Sequence, residues 1–333
     1  MSVAWKRITW SPSEVQRLRN RLLSNISLLN SFQHQINRLF HKNNNRIANQ
    51  KLTESRHALE RVEQYQQKQQ FSQKYDSLIE WLTTLNYGQQ QSDFIHKRQP
   101  GTGEWLLNST EFKNWETKSP KTLYCPGIPG TGKTMMASIV IDYLETKFKA
   151  KQDIGIAYVY CSYQPQQEQK PEELLLSITK QLLQSRSLLP LDLDQTYKSL
   201  KARGARPNMG QTIQMLKSVM HLFAKVFIVV DALDEYYVSD NTAHNRFVAQ
   251  ILKLQYELPV NIFTTSRPIS EITALFAAFD SIEIRAQADD VVEYINSRML
   301  QMRCSLLQHP IVQEEIRQEV LKASDGMYGN ICT

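Results

Sequence analysis

Long apolar runs are missing from this chain of 333 residues. None approaches the roughly 18 consecutive apolar residues that a membrane-spanning helix requires, so a transmembrane protein is excluded. Cysteine is scarce as well: Cys125, Cys161, Cys304 and Cys332 stand far apart, with no C-x-x-C spacing. That pattern excludes a zinc knuckle or a disulfide scaffold and predicts buried free thiols. The seven histidines are scattered, with no H-E-x-x-H and no His/Cys cluster, so no structural metal is expected. With 11 Gly and 12 Pro there is no room for collagenous or proline-rich architecture. The opening segment MSVAWKRITW lacks the apolar core of a secretory signal, and the expected address is cytoplasmic. What remains is ordinary for a globular chain: 41% hydrophobic and 22% charged residues, a net charge of +6, and a length suited to about two domains.

One local scarcity stands out. In residues 1–50 Glu14 is the sole acid, against Lys6, Arg7, Arg17, Arg19, Arg21, Arg38, Lys42 and Arg46. The basic excess of the chain lies in this segment, which reads as helix. Ser11-Pro12-Ser13-Glu14 combines a Ser cap, Pro at the first helical position and Glu at the capping-box position. Val15, Leu22, Leu29 and Ile36 then fall seven apart, and Leu18, Phe32 and Leu39 fill the interleaved set with Asn25 as the polar break. This is an a/d seam of more than three heptads, in which one buried Asn can fix register. His41 to Asn45 predicts a polar loop, and a second helical stretch follows with Leu59, Val62, Tyr65, Tyr75, Leu78, Ile79 and Leu82, exposed in its middle from Gln64 to Gln73. Two antiparallel helices closing on each other, an intermolecular coiled coil, and binding of an anionic surface through the arginines all fit this pattern. Nucleic acid is not an expected partner, because no aromatic-plus-basic motif accompanies the charge.

From about residue 120 short apolar runs alternate with helical segments, the sign of a parallel α/β sheet. The β-prone run Lys121–Cys125 leads into Gly127-Ile128-Pro129-Gly130-Thr131-Gly132-Lys133-Thr134, which fits G-x-x-x-x-G-K-[ST]. Gly127, Gly130 and Gly132 let the backbone turn its N–H groups, with that of Thr131, around a β-phosphate. Lys133 supplies a charge to the β- and γ-phosphates, and the Thr134 hydroxyl a ligand for Mg²⁺. A helix starting near Met135 points its N-terminus at the phosphates. Val226 to Val230 form a buried strand ending in Asp231, the expected metal-side carboxylate, with Asp234 and Glu235 placed to orient or deprotonate an attacking water. A further strand, Val260–Thr265, ends in Ser266-Arg267-Pro268, where Arg267 either reports a γ-phosphate or forms a structural salt bridge to a loop acid. Ile154–Cys161 and the weaker Ser281–Ile284 are two more strands, and Pro171 opens a helix. The fold class expected is therefore α/β: a P-loop NTPase three-layer parallel sheet with helices on both faces. A helical hairpin or coiled coil over residues 1–80 precedes it, the nucleotide domain covers 81–286, and a short helical segment covers 287–333.

The set GIPGTGKT, VFIVVDALDE and NIFTTSRP resembles the NACHT class of signal-transducing STAND NTPases, including the small Ala232 after the metal Asp. Gly101-Thr102-Gly103-Glu104-Trp105-Leu106-Leu107 ahead of the P-loop, and Cys125-Pro126 leading into it, are similar to fungal NOD-like receptors of the nephrocystin-type NACHT group. The resemblance implies a switch that binds ATP or ADP with Mg²⁺, hydrolyses slowly and oligomerises, through the NACHT domain or through the N-terminal coiled coil that the heptad seam allows. In fungi it implies a link to non-self recognition and cell death. It leaves GTP in place of ATP open. It also implies an apolar helix, a winged helix and repeats after Asp325-Gly326-Met327, where this chain ends at Thr333, so that it reads as cut short. The alternative is a coiled-coil scaffold whose P-loop domain no longer hydrolyses.

Overall fold

Between Pro12 and Gly88 there is neither glycine nor proline, and the chain runs there as one helix, α1, Pro12–Leu82. In this computed structural model residues 11–162, 170–186, 188–236, 241–301 and 310–324 are described. Lys6, Arg7, Cys304, Cys332 and the Asp325–Met327 position lie outside them.

The continuity of α1 corrects the expected hairpin. His41 to Asn45 are helical and exposed, with no loop. Asn costs a helix only about 0.7 kcal/mol per residue at most, and nothing there carries the larger penalty of Gly or Pro. The start of α1 is as expected: the backbone N–H and hydroxyl of Ser11 both donate to Glu14 Oε2 at 2.9 Å. At its other end Arg206 donates to the carbonyls of Trp81 and Leu82 and lies over the Trp81 ring, and Lys180 donates to the Thr83 carbonyl at 2.9 Å. Carbonyls left over at a helix end need such partners.

The chain divides into two compact units, Met1–Gln73 and Lys74–Thr333. The division falls at 73/74 rather than 80/81, because Leu78, Ile79 and Leu82 are buried in the core of the larger unit. Val291, Ile295 and Met299 form a small core of their own, with Ile316, Val320 and Leu321 packed against it. In the first unit Val15, Leu22, Leu29, Ile36, Leu59, Val62 and Tyr65 are all exposed.

The second unit continues with α2 (Gly88–His96), α3 (Glu104–Asn108), α4 (Thr110–Thr117), β1 (Lys121–Pro126), α5 (Lys133–Phe148), β2 (Ile154–Tyr160), α6 (Pro171–Gln184), α7 (Leu191–Ala202), α8 (Met209–Met220) and β3 (Lys225–Asp231). A single 3-10 turn, Leu233–Glu235, precedes α9 (Asn241–Leu254), β4 (Val260–Ser266), α10 (Ser270–Phe276), β5 (Asp280–Ser281), α11 (Ala288–Gln301) and α12 (Pro310–Ser324). Among the described residues the sheet has five parallel strands in the order β2-β3-β4-β1-β5. β5 is short, but Ile282 N and Ile284 N carry its hydrogen bonding on to Tyr124 O and Pro126 O.

Every residue of β4 is buried, as are Val226–Asp231 of β3, so both faces of the central sheet are covered, as their unbroken apolar runs require. Trp115 of α4 is fully buried among Phe112, Phe227 and Phe263, and its indole N–H donates to Ile262 O at 2.8 Å. Cys125 and Cys161 are buried free thiols. No helix among the described residues is long and apolar enough to cross a membrane.

Candidate functional site

The strand order decides where the three sequence motifs meet. β4 lies between β3 and β1, so the carboxyl ends of three neighbouring strands deliver Asp231, Ser266-Arg267 and the Gly127–Thr134 loop to one edge of the sheet. Open parallel sheets bind their ligands at this edge.

The loop after β1 is pinned at its root, where Gly127 N donates to Ser266 O at 3.0 Å. A Cβ at Gly127 would lie 2.7 Å from both Ile284 O and Thr131 Oγ1, so only glycine fits. Gly132, at φ 86°, is the left-handed residue from which α5 departs. Thr131 is fully buried, and its hydroxyl donates to Ile128 O at 2.9 Å. Gly130 is exposed, and Met135 sits half-buried in the first turn of α5. Lys133 Nζ donates to Gly127 O at 2.9 Å and to Ile128 O at 3.1 Å. Partial burial pulls the Lys133 ammonium below its ordinary value, against the opposing pull of Asp234, Asp231 and Glu235.

Asp231 is 2% exposed and held by the Thr265 hydroxyl. Thr265 Oγ1 of β4 donates to its Oδ1 at 2.6 Å, and the Thr134 side chain is near enough to favour its charged form. Burial pushes the carboxyl up to about 6, beyond what the nearby Thr265, Thr134 and Lys133 side chains recover. The chain then turns sharply at Ala232, whose φ of 52° is left-handed, and Ala232 N donates to Thr265 Oγ1 at 2.9 Å. A non-glycine residue adopts that conformation only where its surroundings hold it there.

The turn carries Asp234 and Glu235. Asp234 faces Arg267: its Oδ1 accepts from Arg267 N at 2.8 Å and its Oδ2 from Arg267 Nε, with 1% of the Asp234 side chain exposed against 47% for Arg267. Of the two readings for Arg267, the salt bridge to a loop acid is thus present. Glu235 is exposed.

Three residues here escaped the sequence reading. Thr265 binds both Asp231 and Ala232; a hydroxyl in a fully buried strand needs a partner, which was the available signal. Asp290 of α11 accepts from Gly103 N at 2.9 Å, and a Cβ at Gly103 would strike Ile139 of α5, so the segment ahead of the P-loop is packed onto the P-loop helix and latched to α11. Gln91 is buried, accepts from the Tyr160 hydroxyl and donates to Ser138 O at 3.0 Å, tying α2 and β2 to α5. Nothing in the sequence around Gln91 or Asp290 announces these distant partners.

A family model described as Nephrocystin 3, N-terminal matches residues 101–267, just over half of the chain, from Gly101 to Arg267. A comparison with curated proteins finds no match. Among solved structures the chain is similar to the ORC1 protein of Aeropyrum pernix in complex with DNA, at 13% identity and a TM-score of 0.43 over 76% of this chain and 60% of that one. It is similar also to AMPPCP-bound DnaA of Aquifex aeolicus, at 14% identity and a TM-score of 0.38 over 72% and 62%. A Walker-type ATPase of Pyrococcus abyssi matches at 13% identity and a TM-score of 0.43 over 73% and 64%. The chain thus covers less than two thirds of each of those structures.

Proposed function

Because the chain belongs to the nephrocystin 3 N-terminal family, we propose that it is a nucleotide-operated switch of the NACHT type that binds ATP or ADP with Mg²⁺. The observation that carries this reading is the meeting of the Gly127–Thr134 loop with the buried, Thr265-held Asp231 at three adjacent strand ends.

The residues suit a phosphate and its metal. A hydroxyl and a carboxylate side by side are hard oxygen donors of the kind Mg²⁺ takes together with phosphate oxygens and water. When bound, the ion neutralises phosphate charge. The buried Asp231 is held proton-rich by desolvation, and a cation beside it favours the charged form. Lys133 brings the positive charge for the β- and γ-phosphates, the N–H groups from Gly130 to Met135 cradle them, and the axis of α5 favours anions at that end.

The Arg267 pair sorts the two candidate acids. Asp234 spends both oxygens on Arg267 and acts as its positioning residue, while Glu235 is the acid left to orient or deprotonate water in slow hydrolysis. A γ-phosphate that draws Arg267 into contact biases a two-state equilibrium, and a few kcal/mol suffice for a switch. A signalling role with self-association, including non-self recognition, rests on the resemblance of the motifs.

Calorimetric titration with ADP, ATP and GTP, with and without Mg²⁺, tests the reading. Binding is expected to require Lys133, so Lys133→Ala reduces affinity at least a hundredfold. Folded, nucleotide-free protein that binds none of the three would overturn the reading in favour of a scaffold with an inert P-loop domain.

A further inference from the structure

We infer that the exposed face of α1 between Val15 and Leu39 pairs with a second copy of this chain, as a parallel, in-register coiled coil. The face is built for a helix partner. Val15, Leu22, Leu29 and Ile36 occupy one heptad position, a, and Leu18, Phe32 and Leu39 the other, d, and all are between 41% and 68% exposed. A seam of this kind buries its knobs only against another helix. Arg46 at a d position, after Asn43 at an a position, ends it.

Two features choose the partner and its direction. The first is Asn25, which occupies a d position in the middle of the seam. In a parallel, in-register pair each Asn25 meets its own copy, and the two amides hydrogen-bond. In an antiparallel pair over the same layers, Val15 meets Leu39 and Asn25 meets Leu29, which leaves a buried amide unpaired at a net cost. A lone Asn in a seam is a known means of setting register between identical helices.

The second feature is charge. This stretch is strongly basic, which by itself would argue against a second copy. The positions that matter are e and g, because in a parallel pair each g faces the partner's e five residues later. Those pairs are Glu14 with Arg19, Arg21 with Ile26, Leu28 with Gln33, Gln35 with Phe40 and Lys42 with Ile47. One is attractive and none joins like charges. Arg17 and Arg38 stand at c positions, away from the seam. Glu14, the sole acid of the segment, thus serves twice, capping α1 through one oxygen and facing Arg19 of the second copy.

Pairing of this kind needs no nucleotide, so it is tested apart from the switch. Sedimentation equilibrium of the full chain in EDTA is expected to show a reversible monomer–dimer mixture. Arg19→Glu sets Glu against Glu14 twice per dimer and weakens association roughly tenfold. Adding Glu14→Gln, which keeps the capping box, removes that repulsion and recovers most of the loss. Leu29→Cys places two thiols face to face only in the parallel register, and mild oxidation is expected to yield a covalent dimer beyond any formed by the parent chain. A chain that stays monomeric at every concentration overturns the inference. So does a dimer indifferent to Arg19→Glu, or one in which Leu29→Cys never cross-links.

Discussion

Leu29 and Leu123 are the same residue in two settings. The first is 67% exposed on α1 and the second is fully buried in β1. The contrast extends to the regions around them. From Val15 to Tyr65 apolar side chains recur with helical spacing and remain exposed, whereas in the sheet domain every long apolar run is covered on both sides. Periodicity therefore identifies which face of an element is apolar, but it is silent about what covers that face. Cover comes from neighbours far away in sequence, or from another molecule. The sheet domain finds its neighbours within the chain; the first unit carries a seam that awaits one.

The sharpest way to set the two regions apart is to remove a large side chain from the one with a core. Trp115 is fully buried, touches three aromatic rings and satisfies its N–H on the backbone of β4. Trp115→Ala is expected to lower the stability of the sheet domain by about 3–5 kcal/mol through lost contacts and a residual cavity. Urea unfolding followed by far-ultraviolet circular dichroism reads this as a shifted midpoint. A loss below about 1 kcal/mol would show that α4 does not seal the sheet, and the contrast with α1 would fail.

A second measurement sharpens the comparison by asking what the sheet domain gives up for its site. Burial pushes the Asp231 carboxyl up to about 6, from an ordinary value of 3.8. The folded protein then keeps a proton that the unfolded chain has released, so stability falls as pH rises from about 4 through about 6. Asp231→Asn removes that loss. In EDTA it is expected to raise stability at pH 7 by about 2 kcal/mol, with the gain vanishing below pH 4. The same variant loses Mg²⁺-dependent nucleotide binding if the proposed site is correct. Equal stability of the two proteins at pH 7 would mean that Asp231 is not desolvated.

Legibility in the sequence followed the same division. The strands β1, β3 and β4 could be placed to within a residue or two, because each is a short apolar run and each ends in a residue of chemical use, Pro126, Asp231 or Ser266. The P-loop was legible because its glycines are dictated locally, as the 2.7 Å approach at Gly127 makes plain. Long-range partners were not legible: Thr265 with Asp231, Asp290 with Gly103 and Gln91 with Tyr160 are joined by the strand order and by helix packing, which no local pattern encodes. The loop expected at His41–Asn45 rested on polarity alone, and polarity without Gly or Pro does not interrupt a helix.

The smallest expected effect is the most discriminating one. Leu29→Ala removes as much apolar surface as a core Leu→Ala substitution, which costs about 2–5 kcal/mol where the side chain is buried. At position 29 the side chain is already in water within its own chain, and Ala suits a helix at least as well as Leu does. The unfolding midpoint of the sheet domain should therefore stay within about 0.5 kcal/mol of the parent. Measured at a concentration where the chain is monomeric, a loss above about 1 kcal/mol would mean that Leu29 is covered intramolecularly, and the seam would belong to the chain's own core. An unchanged midpoint, with weaker association at higher concentration, assigns the cost of the substitution to the contact between two copies, because burial lowers free energy only in the molecule or assembly where it takes place.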